Sequence, residues 1–129
     1  MSNPILVKSY TAGEAVEEGR IVCFGNADGV AVKAAAATDA LIGVAYSLPA
    51  ASGERLDVMI QGIADVMLGG TVARGDFITS DANGKGVKAD PAAAVNCRAL
   101  GVALESGASG EIIPVLLGAV IVQGEGVPA

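Results

Sequence analysis

Just past its midpoint the chain begins to repeat itself, and the repeat limits what it can fold into more than any other feature. Ala15-Val16-Glu17-Glu18-Gly19-Arg20-Ile21-Val22 is answered by Thr71-Val72-Ala73-Arg74-Gly75-Asp76-Phe77-Ile78: Val, two polar or small residues, Gly, one charged residue, then apolar. Asp28-Gly29-Val30-Ala31-Val32-Lys33-Ala34 is answered by Asn83-Gly84-Lys85-Gly86-Val87-Lys88-Ala89, each opening on a pair favoured in tight hairpin turns. Ile42-Gly43-Val44-Ala45 then answers to Leu100-Gly101-Val102-Ala103, and Ala51-Ser52-Gly53-Glu54 with Gly62 to Ala108-Ser109-Gly110-Glu111 with Gly118. Each copy offers four short strand candidates separated by Gly-rich turns, the spacing of small barrels and sandwiches. A unit of about 50 residues buries too little surface to be stable alone, so the copies are expected to share one core.

The fold predicted is all-β: a small barrel or sandwich built from two tandem, pseudo-twofold-related modules, with an extended N-terminal arm. The arm covers residues 1–12 and the single β domain residues 13–123. Within it, module one spans about 13–68 and module two about 69–123, leaving a C-terminal tail at 124–129. At 129 residues the chain suits one domain. Its hydrophobic share is 52%, but with no Trp and only Tyr10, Phe24, Tyr46 and Phe77 as aromatics the core must be aliphatic. Helical signals are weak: residues 34–37 lack an N-cap and an apolar face, and one helical turn is possible where Asp90 precedes Pro91.

Composition excludes several classes of function. The apolar stretch at residues 112–122, broken by Pro114 and Gly118, falls short of the roughly 20 residues that span a bilayer as a helix. Met1-Ser2-Asn3-Pro4 lacks the basic start and apolar run of a secretory signal, so synthesis in a cytoplasm without export is expected. Cys23 and Cys97 support neither a disulfide framework nor a sulfur-only metal site and read as small buried hydrophobes. With 14 acidic and 8 basic residues the net charge of −6 repels phosphate backbones, so no nucleic-acid or membrane partner is expected.

The chain has no His, which removes the commonest general base and zinc ligand. The carboxylates Glu17, Glu18, Asp57 and Asp65 sit at turns or on solvent faces rather than as an acid–base pair. Asp81-Ala82-Asn83-Gly84 opens like a calcium loop, but Ala92 stands where the bidentate ligand belongs. Neither Gly69-Gly70 nor Gly124-Glu125-Gly126 forms a phosphate-cradling loop. No catalytic, cofactor-binding or metal-ligating residue is assigned, and no enzyme activity is expected.

Candidate interface residues come from two segments. Ile5-Leu6-Val7-Lys8-Ser9-Tyr10 is β-prone and lies outside the repeat, an arm able to pair with its own molecule or a neighbour. In the last strand of module one Asp57, Gln61 and Asp65 form a polar face opposite Val58, Ile60, Ala64 and Val66. The corresponding polar-face positions of module two are Ile113, Leu117 and Ile121, while Leu116, Val120 and Val122 keep the apolar face. A strand apolar on both faces must be covered twice, either within the chain or by another subunit.

The runs Val16-Glu17-Glu18-Gly19-Arg20-Ile21-Val22, Leu41-Ile42-Gly43-Val44-Ala45 and Gly53-Glu54 with Val58 and Gly62 resemble the phage capsid cement family. So do their partners Ala73-Arg74-Gly75-Asp76-Phe77-Ile78, Leu100-Gly101-Val102-Ala103-Leu104 and Gly110-Glu111 with Val115, the likeness covering roughly residues 10–122. The resemblance implies a β-rich protein on the exterior of a tailed-phage capsid, made in the host cytoplasm. It also implies the major capsid protein as partner, often with homotrimers near local threefold axes, and no cofactor. Linked contacts of such a trimer raise apparent affinity by about 10²–10⁴. Ile5, Leu6, Val7 and Tyr10 are then the residues expected to add a strand to a capsid or neighbouring subunit edge. The alternatives are a carrier-type or ligand-binding small barrel, tested at Lys33 and Lys88, and another virion part such as a head-fibre base or tail component.

Overall fold

The computed structural model describes residues 3–46, 49–90 and 96–123, and among them it contains strands and no helix. The strands are β1 (Asn3–Ala12), β2 (Ile21–Phe24), β3 (Val30–Lys33), β4 (Leu41–Ala45), β5 (Arg55–Met67), β6 (Phe77–Ser80), β7 (Gly86–Lys88), β8 (Asn96–Ala103) and β9 (Ile112–Gln123). They form one sheet in the order β1-β3-β2-β4-β5-β9-β8-β6-β7, and β1 also pairs with β5, so the first five strands close into a ring. Every pairing is antiparallel except β1 with β3. The all-β expectation holds. The helical turn considered after Asp90 and the tail at 124–129 lie outside the described residues.

The long strand β5 joins the halves. Its N-terminal part pairs with β1 and β4 in the ring, and its C-terminal part pairs with β9 from Ile63↔Leu116 to Met67↔Ile112. A parallel bridge from Leu68 to Gly86 then brings the chain just beyond β5 against β7. Hydrogen bonds recur at matched positions on either side of β5. Val16 exchanges backbone bonds with Ala50, as Val72 does with Gly107. The Ala51 and Ala108 amides donate to Glu54 and Glu111 carboxylates at 2.7 and 2.6 Å. Gly43 and Gly101 share one reason for being glycine: a Cβ at either would collide with the backbone of the opposite strand, at the Met59 and Leu116 carbonyls respectively.

Burial explains why strands form from such short runs. Leu56, Val58, Val22 and Ile42 fill the ring with Ala12, Val16 and Ala45. A larger cluster runs from Ile21, Val44 and Met59 on the ring strands to Leu68, Ile78, Leu100, Ile113, Val115 and Leu117 in the second half. Each fully buried Leu, Ile or Val contributes about 1.5–3 kcal/mol, so an aliphatic core suffices without Trp.

Two sequence expectations are corrected. On β5, Met59 is buried although it lies on the strand face expected to see water. On β9 the assigned faces are exchanged: Ile113 and Leu117 are 3% and 8% exposed, whereas Ile112 and Leu116 are 58% and 47% exposed. The cause is a slip of one residue in matching the halves. Strand pairing sets Met59 opposite Val44 and Leu116 opposite Val102, and the Asp57 and Pro114 carbonyls accept the corresponding amides of Tyr46 and Leu104. Asp57 therefore answers to Pro114, not Ile113, and a one-residue slip moves every side chain to the other face.

Candidate interaction surface

The arm is a wall of the ring. β1 pairs with β5 from Asn3↔Ile63 to Thr11↔Arg55, with register shifts around Leu6, while β3 reaches only Thr11 and Ala12. Along residues 3–10 the edge of β1 facing away from β5 is thus unpaired among the described residues, a ready template for another strand. Ile5, Leu6 and Val7 are exposed there. Tyr10 is half-buried and packs against the ring interior, with the Lys8 ammonium 4.9 Å from its ring centroid.

Polar contacts pin the arm to β5. The Ser9 hydroxyl donates to Asp57 Oδ1 at 2.9 Å, and Arg55 grips the same carboxylate through Nε at 2.9 Å and Nη2 at 3.2 Å. These bonds, from Arg55 first and Ser9 second, hold the Asp57 carboxyl below the usual carboxylate range.

A second apolar surface emerges from register alone. Phe77 lies opposite Val102, Val102 opposite Leu116, and Leu116 opposite Ile63. Directly paired residues share a sheet face, so these four form a row across β6, β8, β9 and β5. Phe77 and Leu116 are exposed, as is Ile112 further along β9. The sequence reading missed this row because it turned β9 inside out. The exposed aromatic at Phe77, where the first half has Ile21, is the signal that could have found it.

Of the sequence-predicted interface residues, Ile5, Leu6 and Val7 lie together on the exposed arm and Tyr10 at its buried end. Ile113 and Leu117 belong to the chain's own core, which supplies the intramolecular cover. Ile121 pairs with Arg98 along β9, and its side chain lies outside the described residues.

Reactive groups are few. A cleft of about 490 Å³ is lined by Glu18, Tyr46, Met59, Asp65 and Met67 of the first half, among others, and by Ile112 of β9. Burial first, then nearby Asp39 and Glu14, pushes the Cys23 thiol up, and burial with Asp90 does the same for Cys97, which leaves both poor nucleophiles. No cluster of three or more His, Cys, Asp or Glu suited to a metal ion occurs among the described residues, nor does any helix long and apolar enough to cross a membrane.

The model of a family described as phage cement protein matches residues 2–120. Among solved structures, the chain is similar to the N base of the head fiber of bacteriophage phi29, with a TM-score of 0.63 and 18% identity over 88% of this chain and 93% of that one. At that identity the likeness is one of fold. No curated protein matches the chain.

Proposed function

This chain belongs to the phage cement protein family and has a structural role at the phage head, and from that premise we propose how it acts. It binds the outer surface of the major capsid protein shell as a homotrimer, and it does so through surface complementarity rather than chemistry. The observation that carries the reading is the exposed apolar arm, Ile5, Leu6 and Val7, on a strand whose outer edge is unpaired among the described residues. An extended segment of the shell can add to that edge, main-chain bonds giving affinity and the three side chains specificity. The net charge of −6 supports a protein partner over nucleic acid. The absence of His and the raised thiols support a role without catalysis. Two modules, about 13–68 and 69–123, joined through β5 make the rigid body that presents the arm.

The test is co-sedimentation of purified protein with expanded and unexpanded shells. Binding to the expanded form is expected, and Ile5→Asp with Leu6→Asp should abolish it while the melting temperature stays put. Undiminished binding by that variant would remove the arm from the interface. A second reading, the base of a head fibre, is favoured by the fold shared with the phi29 head fiber N base. It predicts sparse projections on imaged heads where cement predicts regular coverage.

A further inference from the structure

We propose that copies of this chain associate head to tail: the β2–β3 turn of one copy, residues 24–29, docks on the row Phe77, Val102 and Leu116 of the next. The proposal rests on the self-association proposed above and names its contact.

The template lies inside the chain. Pairing places Ile21 opposite Val44 and Val44 opposite Met59, a row on the first half that answers to Phe77, Val102 and Leu116 on the second. The first row is buried to 2% or less. Part of its cover is the β6–β7 turn: the Gly84 carbonyl accepts the Ile21 amide at 2.7 Å and the Asn83 carbonyl accepts Arg20 Nη1 at 3.2 Å. Gly84 itself is buried against the Lys33 stem.

The reciprocal contact is not made. Phe77 remains 45% exposed, and the turn that answers to Asn83-Gly84, Asp28-Gly29, is exposed on the first half. In a closed twofold arrangement each half would cap the other. Here one capping turn and one apolar row are both left spare, so a second copy supplies what the first leaves open.

Chemistry at the two patches fits. Phe24 is exposed beside the free turn, giving it an aromatic to set against the row. Lys88 answers to Lys33 by its pairing with Ile78, as Lys33 pairs with Val22. It would lie over Gly29 as Lys33 lies over Gly84, next to Asp28 of opposite charge. Because the two patches are distinct, the contact is heterologous and closes into a ring when its rotation allows; three chains then present six modules in rotation.

The experiment uses the full chain. Asp28→Cys and Lys88→Cys proteins, prepared separately, are mixed and treated with a short bis-maleimide, Cys23 and Cys97 being buried. Cross-linking is expected in the mixture and not in either protein alone, and the double variant should give a ladder that ends at the closed ring. Leu116→Glu should weaken association by about tenfold or more, as expected for one leucine lost from an interface, with an unchanged melting curve because the residue is exposed. An oligomer that forms without these cross-links and ignores Leu116→Glu would overturn this contact alone. A chain monomeric at every concentration would overturn the contact and self-association together.

Discussion

Gly101 has no room for a methyl group: a Cβ there would run into the Leu116 carbonyl of the neighbouring strand. Gly101→Ala should destabilise the fold by about 1–3 kcal/mol or more, since the obstacle is backbone and cannot rotate away; a denaturant titration reads this directly. At Asp57 the consequence is one of pH. Its lowered folded-state pKa stabilises the native form fully above the unfolded carboxylate range, and that gain is lost as pH falls through the folded value. The pair is near solvent, so the effect is small. Asp57→Asn should remove this small gain, so that stability falls slightly at neutral pH, stays unchanged in acid, and loses that part of its acid limb, which thermal melts across pH read. The contacts of neither residue can be read from the sequence. Gly101 was legible as one half of a matched Ile/Leu-Gly-Val-Ala pattern, but the reason for it appears only when β9 is laid alongside.

At the scale of elements, β9 and β1 decide the surface. Ile113→Ala should cost about 2–5 kcal/mol because it empties a packed core position, whereas Ile112→Ala, one residue away and exposed, should stay within about 0.5 kcal/mol. Equal effects in equilibrium unfolding would contradict the register of β5 against β9. For β1, the structure changes what a truncation means. An arm outside the domain could be removed harmlessly, but Tyr10 and Ala12 pack with the ring interior and the whole strand lines β5. Deleting residues 1–12 should therefore open the ring and lower the melting temperature, and substitutions at Ile5 and Leu6 are the cleaner probe of binding.

For the whole molecule, the proposed role makes an acidic, aliphatic body with exposed apolar residues on its arm and on β6 and β9 one tile among many. Native mass measurement should find three copies, falling to one with Leu116→Glu. Shell binding by the trimer should exceed binding by that monomeric variant by the roughly 10²–10⁴ that linked contacts provide. Equal binding would mean that each copy acts alone and that avidity has no part in the role.

The sequence by itself determined the strand content, the turns at Asp28-Gly29 and Asn83-Gly84 and the aliphatic core. These depend on local propensity, turn chemistry and composition, which are written into short runs of residues. It also carried the pattern by which the family was recognised. Which face of β9 meets the core, that β1 closes a ring on β5, and that one turn caps Ile21 while its counterpart stays free were decided only by the tertiary structure. The physical reason is register: side chains alternate with a period of two, so a pattern matched one residue out of step still looks like a strand while every side chain on it points the wrong way.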